Sequence, residues 1–140
     1  MRKKLFALFA LGLLMATASV YAQTIRVRAE IPFNFVVTGG TLPSAEYTIQ
    51  SNQSIDHLLT LSSAGQKSIV FLANPCLSLK ARKVSGESKL VFRRYGDQYF
   101  LSEIWMEGSS VGYQLRKSRH ELEMAQNYTV DNVVVLAELR

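Results

Sequence analysis

The stretch SKLVFRRYGDQYFLSEIWM, residues 88–106, gives the strongest indication of fold in this chain. Two arms rich in β-branched and aromatic residues, the types that favour strands, flank the tripeptide Tyr95-Gly96-Asp97. Glycine takes without strain the positive φ that a tight turn requires, and Gly96 stands where the arms meet. The stretch therefore predicts a β-hairpin, around which we expect the rest of the chain to be arranged.

The register of this hairpin decides which of its side chains are buried. A three-residue loop with a bulge is favoured, because a two-residue loop would put Leu90 opposite Glu103. In the favoured register Phe92 faces Phe100, and Arg93 faces Tyr99. The expected core face consists of Leu90, Phe92, Phe100, Ile104 and Met106. The expected outer face consists of Lys89, Val91, Arg93, Tyr99, Leu101, Glu103 and Trp105, with Lys89 opposite Glu103 and Arg93 beside the Tyr99 ring.

The N-terminus has the pattern of an export signal. Three basic residues at positions 2–4 precede an uncharged apolar run at 5–15, and Val20-Tyr21-Ala22 offers small residues at a cleavage site. The run is shorter than the ~20 residues of a membrane span, so a cleaved signal is favoured over an anchor. We expect residues 1–22 to be a signal peptide, with a cut after Ala18 as the alternative. The protein is then exported, to the periplasm or beyond, with no membrane span in the mature chain.

Residues 23–140 then form the mature chain, which is long enough for one domain with its own core. Removal of the three basic leader residues leaves 13 basic against 11 acidic side chains, so the net charge gives little support for a polyanionic partner. Cys76 is the only cysteine and cannot form an internal disulfide. The core must therefore hold the domain together, with Cys76 expected as a small buried residue.

Further alternating segments predict more strands. Residues 25–37 place seven apolar side chains at period two, with Pro32 at an edge or at a bend between sheets. Other strands are expected at 46–50, 57–62, 67–73 (buried on both faces), 111–116 and 129–138 (inside a sheet). The count of about eight predicts an all-β, mainly antiparallel barrel or sandwich. A barrel is favoured because pairing the two terminal arms would remove exposed edges.

One short helix is predicted before the last strand. Ser118 is a good N-cap, and Glu121 three residues later completes a capping box. The helix should run from residue 119 to about 126, with Leu122 and Ala125 packed against the core and Asn127 at its end.

No residue pattern in this sequence is typical of an enzyme or a cofactor site. His57 and His120 are the only histidines, and no third residue at ligand spacing accompanies them, so no metal is expected. A hydrolase using Asp56, His57 and a distant serine is the weakest hypothesis, since no nucleophile elbow is present. Glu103 is better explained as a salt-bridge partner of Lys89 than as a catalytic acid.

Two kinds of ligand are compatible with the hairpin and the predicted barrel. Basic residues interleave with aromatic ones, which could stack single-stranded nucleic acid: Lys80, Arg82, Lys83, Lys89, Arg93 and Arg94 beside Phe92, Tyr95, Tyr99 and Phe100. Export argues against nucleic acid and favours an anionic lipid or a polysaccharide of the cell envelope. A small barrel can also hold one apolar molecule, or be filled by its own side chains.

Two segments of this chain resemble an uncharacterised family of short exported bacterial proteins. They are residues 31–37 with 42–48 (IPFNFVV and LPSAEYT) and residues 89–105 (KLVFRRYGDQYFLSEIW). Ala45 stands where that family has a glycine. The resemblance implies a signal peptide followed by a single β-rich domain, and it brings no activity with it.

The sequence thus favours an exported, non-enzymatic β-domain with a binding or structural role in the cell envelope. Its binding surface is expected at the hairpin face around Arg93, Tyr99 and Trp105, or at an open end of the barrel. The alternative is a carrier of a small apolar ligand in the barrel interior.

Overall fold

The computed structural model describes residues 26–52, 55, 57–77, 86–109 and 111–139. The predicted signal peptide with its cleavage site lies outside the described residues. So do Asp56 of the hydrolase hypothesis and the three basic residues Lys80, Arg82 and Lys83.

The described chain is mostly β, with one short helix before the last strand, as predicted. The strands are β1 (Arg26–Ile31), β2 (Phe35–Val37), β3 (Gly40–Leu42), β4 (Ala45–Ser51), β5 (Leu58–Ser62), β6 (Ile69–Leu72), β7 (Asn74–Leu77), β8 (Ser88–Tyr95), β9 (Gln98–Trp105), β10 (Val111–Gln114) and β11 (Val130–Leu139). The helix is α1 (Arg119–Asn127). The prediction of about eight strands was too low, because segments expected as turns or single arms divide into short strands.

Pro32 marks one such division, where the long arm predicted over 25–37 separates into β1 and β2. β1 pairs with β4 and β11, whereas β2 pairs with β3 and β9. Because proline lacks the N–H that continues a ladder, the chain leaves one part of the sheet at this point and joins another. The predicted break at Pro32 is confirmed, although the two segments belong to one sheet rather than to two.

The strands form a single curled sheet, in the shape of a half-barrel. Its order is β3-β2-β9-β8-β11-β1-β4-β5-β6, and β10 connects β9 with β7. The first and last described strands pair with each other, as expected, with Val27 opposite Leu139. All pairs are antiparallel except β2 with β9, where Val36 lies beside Phe100. The fold is therefore a half-barrel with a mixed sheet rather than a closed antiparallel barrel.

Aromatic rings fill the concave side of this sheet. Phe92 of β8 meets Phe33 and Phe35 edge to face, with ring centroids 5.0 and 5.5 Å apart, and Phe35 meets Tyr47 at 5.2 Å. The Tyr47 hydroxyl donates a hydrogen bond to the Pro43 carbonyl at 2.7 Å. Buried tyrosines usually make such a bond, because an unpaired hydroxyl would be costly in an apolar core.

Two strands differ from their predicted burial. β6 ends the sheet, and only its Ile69 and Phe71 side turns toward the core, so Val70 and Leu72 are exposed rather than buried. β11 lies inside the sheet as predicted, yet Val134 and Leu136 are 53% and 63% exposed. The convex side of β11 is uncovered at these residues, because the described part of the chain places its single helix elsewhere.

Candidate functional site

The register of the central hairpin differs from the prediction. β8 and β9 are joined by a two-residue turn, Gly96-Asp97, which brings Tyr95 opposite Gln98. Gly96 has a φ of 59°, the left-handed conformation expected of it. A bulge lies farther along, between Val91 and Phe92, with Ser102 as the extra residue on β9. Because of the bulge, Leu90 pairs with Ile104 and not with Glu103. A two-residue turn is therefore compatible with the burial of Leu90.

This register redistributes the predicted binding residues over both faces of the hairpin. Arg93 pairs with Phe100 and shares its convex face, whereas Tyr99 pairs with Arg94 and lies on the concave face. The Tyr99 ring stacks on Phe33, with centroids 3.9 Å apart. The structure therefore does not bring Arg93 and Tyr99 together, and the predicted contact between them is wrong.

Trp105 is on the convex face and only 8% exposed, because it packs on a glycine of β10. A Cβ atom on Gly112 would lie 2.6 Å from the Trp105 ring. The indole Nε1 donates to Glu103 at 2.8 Å. Trp105 rather than Glu103 stands opposite Lys89, so the predicted Lys89–Glu103 pairing is wrong. The Trp105 ring thus acts as a packing element.

Cys76 of β7 is half-buried opposite Gly112. Burial, with the Glu103 carboxylate nearby, raises the pKa of the Cys76 thiol above its ordinary value of 9.0. The thiolate that a nucleophile or metal ligand needs is therefore disfavoured at neutral pH.

Helix α1 begins as predicted but packs through a different residue. The Ser118 side chain accepts a hydrogen bond from the Glu121 backbone N–H at 3.2 Å, which confirms the N-cap. Leu122 is 51% exposed and Ala125 is also exposed, so the predicted apolar packing face is wrong. Glu121 itself is the buried residue of the helix.

A charged cluster explains why a glutamate is buried there. Arg93 donates to both carboxylate oxygens of Glu121, with Nη2 3.3 Å from Oε2. The Tyr95 hydroxyl donates to Oε1 at 3.2 Å. A two-pronged pairing of this kind offsets the cost of removing both charges from water. Burial, and next the Glu121 charge, raises the pKa of the Tyr95 phenol. Arg93 thus fastens the helix to the sheet.

Arg94, the second arginine of the hairpin, is also paired. Its Nη2 lies 2.9 Å from the Asp131 carboxylate, and hydrogen bonding to Asp131 raises the pKa of the guanidinium further. Both hairpin arginines therefore have a carboxylate partner within the chain, which weakens the expectation of an anionic ligand on this surface.

A cleft of about 290 Å³ lies where the β2–β3 hairpin, the β8–β9 turn and the first turn of α1 meet. Val36 alternates with the buried Phe35 and Val37, so its side chain points away from the core, beside Phe100. Phe100 in turn lies 5.8 Å from the His120 ring, centroid to centroid. The cleft is lined by Asn34, Phe35, Val36, Gly39, Thr41, Asp97, Gln98, Tyr99 and His120.

Some polar groups of this cleft already make hydrogen bonds within the chain, and others do not. His120 Nε2 donates to Gln98 Oε1 at 2.8 Å, which leaves Nδ1 of a neutral imidazole as an acceptor. Asn34 Oδ1 accepts from the Ser44 backbone N–H at 3.0 Å. The Asp97 carboxylate and the Thr41 hydroxyl make no hydrogen bond or ion pair with any described residue. The cleft can therefore donate and accept several hydrogen bonds above a nonpolar floor.

The sequence predicts Tyr99 as a binding residue but assigns no role to His120, and it does not predict the cleft. Asp97 belongs to the predicted turn and Asn34 to the predicted strand at 25–37, and neither was predicted to bind a ligand. These residues are far apart in sequence, and the parallel pairing of β2 with β9 brings them together. No short sequence motif predicts the pairing of β2 with β9.

His57 and His120 lie in different parts of the fold. His57 is exposed at the start of β5 with a φ of 70°, and its proposed partner Asp56 lies outside the described residues. Among the residues described, no three His, Cys, Asp or Glu side chains are grouped to hold a metal ion.

Within the same residues, no helix has the length and apolarity needed to cross a membrane. No family model, curated protein or solved structure matches this chain.

Proposed function

We propose that this chain is an exported, non-enzymatic binding domain that holds a small neutral molecule rich in hydroxyl groups, such as a sugar, in the cleft. The observation that carries the proposal is the Asp97 carboxylate, which makes no hydrogen bond or ion pair with any described residue and lines the same open cleft as His120 and Thr41. This cleft takes the place of the predicted surface around Arg93, Tyr99 and Trp105.

The chemistry of the lining residues supports a neutral ligand. Among the residues that the structure describes, no arginine or lysine lines the cleft, so an anion would find no charge partner among them. Hydroxyl groups both donate and accept hydrogen bonds, which suits a mixture of carboxylate, amide, hydroxyl and imidazole groups. The nonpolar Val36 and the rim of Tyr99 offer a surface for the C–H faces of a sugar ring. Binding sites for small molecules commonly combine a few polar groups with such a floor.

The leader pattern at residues 1–22 and the resemblance to exported bacterial proteins support a role in the cell envelope. The carrier hypothesis requires space on the concave side of the sheet. Phe33, Phe35, Tyr47 and Phe92 occupy that side with ring-to-ring contacts, which favours a filled core. We therefore rank the cleft above the interior as the binding site.

The test is a titration of the exported protein, followed by the backbone amide signals in NMR. The protein is purified from an exporting host, and its native mass shows whether residues 1–22 have been removed and whether a ligand is bound. Glucose, N-acetylglucosamine and maltose are the neutral probes, with choline and glucose 6-phosphate as the charged ones. We expect a neutral sugar to shift amides at Asn34, Thr41 and 97–99, with a Kd in the range of about 0.1–10 mM.

Variants separate the cleft from other surfaces. Asp97→Ala and His120→Ala should each weaken binding about tenfold or more. Glu46→Gln is the matched control, because Glu46 lines a shallow depression formed with Ala45, Thr48 and residues 62–64 on another part of the sheet. The proposal fails if no sugar shifts the cleft amides, or if only a charged probe does. A bound apolar molecule in the native mass spectrum would revive the carrier hypothesis.

A further inference from the structure

Helix α1 forms one wall of the cleft, and very little apolar surface holds it on the sheet. Within this helix Glu121 alone is buried, whereas Leu122 and Ala125 are exposed. Short connections tether both ends of α1, since β10 ends at Gln114 and β11 begins at Val130. Such tethers fix the ends of a helix but leave it free to roll about its own axis. The roll of α1 therefore depends on the contacts of its inward side chain.

The first turn of α1 lies across two cross-strand pairs of the β8–β9 hairpin. Arg93 pairs with Phe100, and Tyr95 pairs with Gln98. Residues two apart on a strand share a face, so all four side chains lie on the convex side. The Glu121 carboxylate accepts hydrogen bonds from both members on β8, Arg93 and Tyr95, and its side chain is only 3% exposed. These three residues, 93, 95 and 121, are called the anchoring cluster below.

His120, the neighbour of Glu121, contacts the two members on β9. Its Nε2 donates to Gln98 Oε1 at 2.8 Å, and its ring centroid lies 5.8 Å from that of Phe100. A hydrogen bond of this kind needs a donor–acceptor distance of about 2.7–3.2 Å. A side-chain atom roughly 6 Å from a helix axis moves about 1 Å when the helix rolls by about 10°. A small roll of α1 would therefore break the bond between His120 and Gln98.

Glu121 lies behind the cleft rather than in it. Among the described residues, His120 and Gln98 line the cleft and Glu121 does not. From the two sets of contacts made by the first turn of α1, we infer that Glu121 positions His120 for ligand binding, because the anchoring cluster fixes the roll of the helix. This inference rests on the proposed function, since His120 contributes to affinity only if the cleft is the binding site. The affinity of the cleft is then set partly by a buried ion pair that the ligand does not touch.

The first measurement is made on the exported protein without ligand, by proton–carbon NMR of the histidine rings. The chain contains two histidines, and His120→Ala assigns their signals. We expect Glu121→Ala to shift the His120 signal, because the ring would lose its contacts on β9. The signal of His57, which is exposed at the start of β5, should stay unchanged. Glu121→Gln retains a carbonyl oxygen that can accept hydrogen bonds within the anchoring cluster, and it should shift the His120 signal less. An unmoved His120 signal in both variants would overturn the inference.

The second measurement is the Kd for the neutral sugar that binds the unmodified protein most tightly. Glu121→Ala should raise this Kd about three- to tenfold. Because Glu121 acts through His120, the double variant Glu121→Ala with His120→Ala should have a Kd within about twofold of that of His120→Ala alone. Losses of affinity that multiply in the double variant would show that Glu121 does not act through His120, and they would overturn the inference.

The variant Leu59→Ala separates a loss of stability from a loss of positioning. Leu59 is fully buried on β5, four strands from β8 in the sheet order. Its truncation leaves a cavity, so it should lower the urea midpoint as Glu121→Ala does, without changing the sugar Kd or the His120 signal. An equal rise in Kd for Leu59→Ala would overturn the inference. If the unmodified protein binds no sugar, the proposed function fails and the role in binding fails with it, whereas the ring signals decide separately whether Glu121 holds His120 in place.

Discussion

The two faces of the β8–β9 hairpin are stabilised by different physical means. On the concave face Leu90, Phe92 and Ile104 are fully buried among other apolar side chains. On the convex face Arg93 and Tyr95 are held by a glutamate of α1, and the Arg93 and Glu121 side chains are only 11% and 3% exposed. Truncating one apolar side chain removes its own contacts and leaves a cavity, whereas removing one member of the charged cluster also leaves its partner buried without a counter-charge. The two faces should therefore respond differently when a second member of the same group is removed.

The largest effect should come from truncating Phe92 on the concave face. Phe92→Ala removes a fully buried ring that contacts Phe33 and Phe35, and we expect a loss of about 3–5 kcal/mol in the free energy of unfolding. Urea denaturation followed by Trp105 fluorescence measures the loss. Val134→Ala, on an exposed convex position of β11, should change stability by less than about 0.5 kcal/mol in monomeric protein. A loss below about 1 kcal/mol for Phe92→Ala would contradict the described packing.

A somewhat smaller loss is expected when the convex cluster is broken on one side. Glu121→Ala leaves the Arg93 guanidinium buried without its carboxylate, which should cost about 3 kcal/mol. The double variant Arg93→Met with Glu121→Leu removes both charges and should recover most of that loss. Asp131→Ala serves as the control, because its ion pair with Arg94 is exposed and should contribute less than about 1 kcal/mol. Equal losses in the single and double variants would show that the cluster does not act as a unit.

The smallest effect on stability is expected at alkaline pH. Each face of the sheet contains one buried tyrosine that can lose its proton there. Burial raises the pKa of Tyr47 on the concave side and of Tyr95 on the convex side above 10.0. The folded state thus keeps protons that the unfolded state loses, so stability is full below pH 10.0 and falls as pH rises through that value.

The measurement is the urea midpoint between about pH 8 and pH 11. The urea midpoint of Tyr95→Phe should fall less steeply with pH than that of the unmodified protein, because only one tyrosine with a raised pKa remains. Its cost at neutral pH should be about 1–2 kcal/mol, from the lost hydrogen bond to Glu121. An unchanged slope in Tyr95→Phe would mean that this phenol does not titrate with a raised pKa.

The hairpin itself and the helix cap were predictable because their causes are local. Gly96 and the alternating arms indicate the hairpin, and Ser118 with Glu121 three residues later indicates where α1 begins. The register was not predictable, because the bulge at Ser102 lies several residues from the turn. Because the bulge adds one residue to β9, the β9 residues between the bulge and the turn lie on the opposite face from the one predicted, which moved Tyr99 to the core side and Phe100 to the helix side.

The candidate site was harder to predict from the sequence than the fold was. A capping box identifies Glu121 as a helix-start residue, and nothing local shows that its side chain turns inward to meet Arg93, 28 residues away. Asp97 and His120 each appeared as isolated surface groups. Their approach depends on where α1 lies on the sheet, which is a property of the assembled fold.

The sequence by itself determined the all-β character, the central hairpin, the bend at Pro32 and the position of the single helix, because turn residues, alternation and caps act between near neighbours. Tertiary structure alone decided the half-barrel order, the bulge that sets which face each hairpin residue occupies, the Arg93–Glu121 cluster and the cleft around Asp97. These features depend on pairings between distant strands. Such pairings follow from the packing of the whole core, which no local pattern encodes.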